Sequence, residues 1–193
     1  MTASLGRFGK SGRWGVGAVR VIMLAVALIA VGACGPGGGI EVASFPAGTL
    51  GPAGTVGPAV GQTRLELVRV LGERNLVMRD TLTPFRPPED GVFTTVPRQV
   101  FQVLLPDAPT EGHIVVYEFS SPTLAAEAAT DQATYLASGP ARVQSAFGAR
   151  HVMRLVGSTV VLYSWVPEGI EDERQRDIGP ALETLGIGVP IPA

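Results

Sequence analysis

The residues best suited to acid–base chemistry in this chain are its two histidines, His113 and His151. An imidazole beside a carboxylate can act as a general base near neutral pH, and Glu118 is a candidate carboxylate partner. No G-x-S-x-G sequence supplies a nucleophile, and the histidines lack the close spacing of a metal site. The pattern favours a structural role for both histidines at strand ends. No catalytic residue, metal or cofactor is therefore predicted.

The single cysteine, Cys34, could undergo a different chemistry, because it directly follows the apolar run 21–33. Four basic residues and no acid precede that run, which is typical of a signal peptide. The run is shorter than the ~20 residues that a membrane-spanning helix needs. The sequence Val31-Gly32-Ala33-Cys34 resembles the bacterial lipobox. That resemblance implies cleavage between Ala33 and Cys34, followed by lipidation of the cysteine.

The lipobox resemblance implies a lipoprotein on the extracytoplasmic side of the cell membrane or outer membrane. The membrane is then one partner, reached through the lipid on Cys34, because two or more acyl chains anchor a protein stably. Residues 1–33 form the predicted signal peptide. Residues 34–61, which are rich in glycine and proline, form a predicted flexible tether. Residues 62–193 form a single predicted globular domain.

Charge excludes one class of partner. From Cys34 onward the chain has 11 arginines, no lysine and 17 acids, which gives a net charge of −6. A negative domain has no general attraction to nucleic acid. A protein or a small molecule is the expected class of partner beyond the membrane.

The elements that position these residues can be predicted from local patterns. A capping-box pattern begins at Thr63 and predicts a helix over 64–74. Alternating apolar residues predict strands at 99–105 and 113–119, with a possible short strand before them. Ser121 followed by proline predicts the start of a second helix.

The last third of the chain predicts a second hairpin and a third helix. Strands 151–156 and 159–165 flank Gly157-Ser158, a pair typical of a type II′ turn. Residues 171–185 contain an irregular helix. The resulting order α(β)ββαββα predicts an α+β fold. It has an antiparallel sheet of four to five strands, with about three helices packed on one face.

A second resemblance covers roughly residues 65–185. The sequence GHIVVYEFSSPTLAAEAATDQATYLASG, followed by ARHVMRLVGSTVVLYSWVPEG, is similar to a group of small α+β bacterial lipoproteins. They share a valine-rich strand, a VYEF or VYEY strand, an alanine-rich helix and an LIVLY strand. The resemblance implies a fold and a location, and it implies no activity.

One candidate binding face follows from the second hairpin. If helices cover the face that contains Met153, then Arg154, Tyr163 and Trp165 lie on the opposite, open face. Aromatic residues beside an arginine on an open sheet suit a partner or ligand. The alternative is that the proline-rich segment 81–97 covers this face.

These observations predict a membrane-anchored binding or interaction module without enzymatic activity. Two alternatives stay open at this point. One is an extracytoplasmic enzyme that uses a His–carboxylate pair, and the other is a passive structural lipoprotein of the envelope.

Overall fold

The computed structural model describes residues 56–193. The predicted signal peptide, Cys34 and most of the predicted tether lie outside the described residues. Within these residues the helices are α1 (Pro58–Gly72), α2 (Pro122–Ala137), α3 (Gly139–Gln144) and α4 (Ile178–Glu183). The strands are β1 (Met78–Asp80), β2 (Arg98–Val103), β3 (His113–Glu118), β4 (Arg150–Val156), β5 (Thr159–Trp165) and β6 (Ile187–Gly188). The predicted α+β class is confirmed.

All six strands of the described part form one antiparallel sheet, in the order β1-β2-β3-β5-β4-β6. The predicted β4–β5 hairpin has the expected register, with Met153 opposite Leu162. The φ angle of Gly157 is +58°, whereas that of Ser158 is not positive. One positive φ at the first turn position matches the predicted type II′ turn. The sheet exceeds the predicted four to five strands because the two-residue β6 pairs with β4.

Helix α1 begins six residues earlier than predicted, inside the segment predicted as tether. Pro58 occupies the first turn, where its missing N–H costs no hydrogen bond. The backbone N–H of Gly57 donates to the carboxylate of Glu118, on the distant strand β3. Thr63 is therefore not a cap. It is buried within the helix, and its hydroxyl lies 2.7 Å from that of Thr159 on β5.

Helices cover both faces of the sheet, so the predicted one-face arrangement is wrong. Helices α1 and α4 pack on the face that contains Ile114, Val116 and Val161. Helix α2 packs on the opposite face, against Val115 and Leu162. Two separate apolar cores result, and the central strands β3 and β5 are buried on both sides. Strands buried on both faces consist mainly of apolar residues, which explains the sequences HIVVYE and TVVLYSW.

The proline-rich segment 81–97 lies on the α2 face, not on the face suggested by the sequence. Phe93 is completely buried there, with its ring centroid 4.6 Å from that of Tyr117. Glu89 holds the segment in place, because its buried carboxylate accepts hydrogen bonds from Tyr117 at 2.6 Å and Arg98 at 2.5 Å. The side chain of Gln132 on α2 contacts the same segment, donating to the Pro88 carbonyl.

The C-terminal helix is irregular, as predicted, and is shorter than 171–185. A 3-10 helix, Glu173–Asp177, leads directly into α4. Asp172 caps the 3-10 helix by accepting from the backbone N–H of Arg174. Gly186 then turns the chain toward β6 with φ +46°.

Candidate functional site

The predicted binding face of Arg154, Tyr163 and Trp165 is not an open surface. Tyr163 is only 1% exposed, because α1 and α4 cover this face of the sheet. Trp165 is half-buried and stacks on Tyr163, with 5.1 Å between ring centroids and an interplanar angle of 10°. The prediction of an open face was wrong because it assumed that helices pack only on the face of the sheet that contains Met153.

Arg154 has a structural role in the fold. Its guanidinium donates to the backbone carbonyls of Leu185 at 2.5 Å and Gly186 at 3.1 Å. These carbonyls belong to the turn that follows α4, which ends at Glu183 with Thr184 as its C-cap. Arg154 therefore attaches the turn after α4 to strand β4.

Strand pairing instead brings the two histidines to the same end of the sheet. His151 on β4 lies opposite Ser164 on β5. Strand β3 pairs with the other side of β5, with Ile114 opposite Tyr163. Extending this register by one residue places His113 beside Ser164. The row His113–Ser164–His151 thus crosses three neighbouring strands on the α2 face, and opposed side chains in such a row are ~5 Å apart at Cβ.

His151 and Ser164 form a hydrogen-bonded pair. The Nδ1 atom of His151 lies 2.7 Å from the Oγ atom of Ser164. Burial lowers the pKa of His151 below its ordinary value of 6.5, so the neutral imidazole is the dominant form at pH 7. A neutral imidazole has one N–H donor and one acceptor nitrogen, and the contact with Ser164 uses one of them.

His113 is buried beneath an aromatic ring. The ring of Phe85 stacks on the imidazole, with 4.8 Å between centroids and an interplanar angle of 12°. Burial lowers the pKa of His113 as well. Its Nε2 atom is buried and has no hydrogen-bond partner among the described residues. The proline-rich segment that carries Phe85 therefore covers one end of the histidine row.

A cleft of about 380 Å³ lies beside this row. Its polar lining includes His151, Ser164 and Gln175, while Phe85 and Trp165 contribute aromatic walls. The remaining lining residues come from four separate stretches of the chain and are Arg86, Pro87, Pro88, Glu111, Gln144, Ser145, Ala146, Ala149, Val166 and Gly169. This volume falls within the usual range of ligand pockets, about 300–1,000 Å³.

Gln175 is the most unusual polar residue of the cleft. It is only 4% exposed, and its Oε1 atom is buried without a hydrogen-bond partner in the described part of the chain. Its amide lies near the Tyr163 hydroxyl, which is itself buried and unpaired within residues 56–193. Burial raises the pKa of Tyr163, and the Gln175 contact partly opposes this rise. The Gln175 amide and the Tyr163 hydroxyl therefore interact with each other within the fold.

The His–carboxylate pair of the enzyme hypothesis is not formed in the described residues. All ion pairs between residues 56 and 193 use arginine as the cation. Glu118 lies at the opposite end of β3 from His113, and its carboxylate contacts Gly57. The described residues also contain no group of three or more histidine, cysteine or acidic side chains that could hold a metal ion.

Sequence reasoning missed Ser164 and Gln175 as site residues. The predicted β4–β5 register already implied that His151 and Ser164 are opposed, so this signal was present. The approach of His113 depends on pairing between β3 and β5, which are separated by two helices in the chain. No local pattern marks that pairing.

Comparison with known proteins gives no relationship for this chain, which matches no family model, no curated protein and no solved structure. A search of the described residues for a helix long and apolar enough to cross a membrane finds none.

Proposed function

We propose that this protein is a lipid-anchored, extracytoplasmic binding module that holds a small ligand in the cleft beside His151 and Ser164. The anchor rests on the lipobox-like sequence that ends at Cys34 and on the basic and apolar segments before it. The ligand site rests on the cleft, where neutral hydrogen-bonding groups and aromatic walls converge.

The observation that carries the binding proposal is the hydrogen-bonded His151–Ser164 pair in the lining of this cleft, together with the aromatic side chains of Phe85 and Trp165. Pockets that bind small molecules are mostly apolar and contain a few precisely placed polar groups. Here those groups are the imidazole of His151 and the hydroxyl of Ser164.

The anchor is tested by metabolic labelling of cells with an alkyne-bearing fatty acid. The full-length protein is expected to incorporate the label and to sediment with membranes. The variant Cys34→Ala should incorporate none, because it lacks the thiol that accepts the lipid. Labelling of the variant to the level of the native chain would contradict the anchor at Cys34.

The cleft is tested by ligand-observed NMR with a library of small fragments, using the full-length protein in lipid nanodiscs and empty nanodiscs as the blank. The variant Ala149→Phe places a ring in the cleft and should abolish specific fragment binding. The matched variant Val143→Phe adds the same ring at a site that is 87% exposed and outside the cleft lining. Equal fragment binding by native protein and Ala149→Phe would contradict the proposed site.

The two alternative functions have less support. The enzyme hypothesis required a His–carboxylate pair, and neither histidine has one in residues 56–193. A passive envelope lipoprotein needs no cleft of this kind. Failure of every fragment to bind would favour this passive role.

A further inference from the structure

The loop between α3 and β4 contains the most exposed aromatic side chain of the described residues. Phe147 is 101% exposed, and Val143 on the adjoining helix α3 is 87% exposed. Apolar side chains stabilise a fold by being buried, so neither residue contributes in this way. Single exposed apolar residues are common on protein surfaces, and exposure alone does not identify a binding surface. What distinguishes this loop is the charge on either side of Phe147.

Phe147 lies between two arginines that have no partner in the described part of the chain. Arg142 precedes it, Arg150 follows it, and both are exposed. Neither side chain forms an ion pair or a hydrogen bond within residues 56–193. The other nine arginines of this range each contact a carboxylate, a side-chain amide or a backbone carbonyl, and they are Arg64, Arg69, Arg74, Arg79, Arg86, Arg98, Arg154, Arg174 and Arg176. The two unpaired guanidinium groups thus flank the most exposed aromatic ring.

The three side chains belong to one surface, because Phe147, Arg142 and Arg150 line the same open groove. The chain from 132 to 167 contains no acidic residue, although the part from Cys34 onward has 17 acids and a net charge of −6. The local sequence is therefore basic within an acidic domain.

Two acidic residues from outside this stretch lie close to the surface. Glu183 lines the same groove, and the Glu168 carboxylate lies beside Gly148. Neither forms an ion pair with an arginine in the described residues. These carboxylates offset the arginine charge at a distance, and salt screens what is left. An anion is therefore held by direct contact with the guanidinium groups rather than by long-range attraction.

An anionic bilayer surface offers a partner for both kinds of side chain. A phenylalanine ring is stable at the boundary between headgroups and acyl chains. An arginine guanidinium donates two parallel hydrogen bonds to a phosphate, the charged group of an anionic phospholipid. A soluble anion would leave Phe147 in water, and an uncharged apolar partner would leave both arginines unpaired.

We propose that the α3–β4 loop docks on a bilayer that contains anionic phospholipid, with the Phe147 ring inserted and with Arg142 and Arg150 bound to phosphates. This contact is additional to the lipid on Cys34. It rests on the proposed anchor in one respect, because a lipid on Cys34 keeps the loop at a high local concentration near the bilayer.

The test places an environment-sensitive fluorophore beside Phe147. The variant Ala146→Cys is labelled with nitrobenzoxadiazole, as the full-length lipidated protein in vesicles of phosphatidylcholine and phosphatidylglycerol. Thr83→Cys is the matched control, because it adjoins Leu82, which is also 101% exposed but whose neighbouring arginines are both paired. We expect brominated acyl chains to quench the probe at position 146 and not at position 83. Equal quenching at the two positions, or none at position 146, would overturn the proposal.

Substitutions in the labelled protein assign the docking to individual side chains. Arg142→Gln combined with Arg150→Gln should lower the ratio of docked to undocked protein about twentyfold, which is about fivefold for each arginine. Phe147→Ser should lower it at least about tenfold. Glu168→Gln should raise it, because one carboxylate beside the loop is removed. Arg69→Gln, which replaces an exposed arginine that already has a partner, should leave it unchanged. Thermal unfolding shows that each variant is folded, and an Arg69→Gln effect as large as that of the double variant would contradict local contact.

The same labelling separates the docking from the anchor. Cys34 is the only native cysteine, so labelling of the unsubstituted protein reports whether its thiol is free. If Cys34 is blocked and the probe at position 146 is not quenched, the docking is wrong and the anchor stands. If Cys34 reacts with the probe, the anchor is wrong, and quenching at position 146 in a Cys34→Ser background still decides the docking.

Discussion

At the residue scale, a small number of buried polar contacts determines how the connecting segments are placed. Glu89 is the clearest case, because its side chain is 3% exposed and contacts two arginines and a tyrosine. Burial is the main cause of the raised pKa of Tyr117, and the neighbouring Glu89 carboxylate raises it further. Tyr117 therefore stays protonated and donates its hydroxyl hydrogen to Glu89.

Replacing this carboxylate should destabilise the fold. We expect Glu89→Gln to lower the free energy of unfolding by about 2–3 kcal/mol, because Arg98 and Tyr117 lose their charged acceptor. Glu73→Gln is the control, since the Arg69–Glu73 pair is exposed and should contribute less than about 0.5 kcal/mol. Urea unfolding at pH 7 measures both changes. Equal effects would show that burial of Glu89 is unimportant.

The buried histidines predict a specific dependence of stability on pH. Their folded pKa values are lowered by burial, so the unfolded chain binds protons more readily than the folded chain below about pH 6.5. The stability that they contribute is complete above that pH and is lost as pH falls toward the folded pKa. We expect His113→Gln to lose less stability than the native protein between pH 7.5 and pH 5, measured by urea unfolding at each pH. Identical pH dependence in the two proteins would contradict burial of a neutral His113.

At the element scale, the helices are attached to the sheet by contacts between residues far apart in the chain. Helix α1 is held by Glu118 at its first turn and by the Thr63–Thr159 hydrogen bond one turn later. The turn that follows α4 is held by Arg154, which donates to the Leu185 carbonyl. The turn after α4 is the tightest point, since a methyl group on Gly186 would collide with the Leu155 carbonyl oxygen.

Two glycine substitutions test this account of the elements. Gly186→Ala should destabilise the protein by at least about 2 kcal/mol, because φ +46° and the Leu155 contact both disfavour a side chain. A methyl group added to Gly72, at the end of α1, would have no atom within 4 Å. Gly72→Ala should therefore stabilise the protein by about 0.5 kcal/mol, because alanine has the higher helix propensity. Thermal unfolding measures both. Similar small effects would mean that the turn at Gly186 is looser than described.

Local signals in the sequence were sufficient to predict several elements. Ser121 caps α2 as expected, accepting from the N–H of Leu124, and the Gly157-Ser158 turn sets the β4–β5 register. The start of α1 was missed because its stabilising partner, Glu118, is 61 residues away. The histidine row was missed for the same reason, since it depends on β3 pairing with β5.

At the scale of the whole molecule, the cleft and the N-terminal end of α1 lie at opposite ends of the sheet. Gly57 contacts Glu118 at the end of β3, whereas His113 begins that strand. A strand advances ~3.3 Å per residue, so the six residues of β3 separate the two sites by ~17 Å.

The measurement that tests the central proposal most directly is native mass spectrometry of the full-length protein extracted from its own membrane. The account predicts a lipidated species that carries one small, non-covalent ligand. The ligand should be present in the native protein and in Val143→Phe, and it should be absent from Ala149→Phe. Identical spectra for the native protein and Ala149→Phe, with no added mass in either, would contradict a binding module built on this cleft.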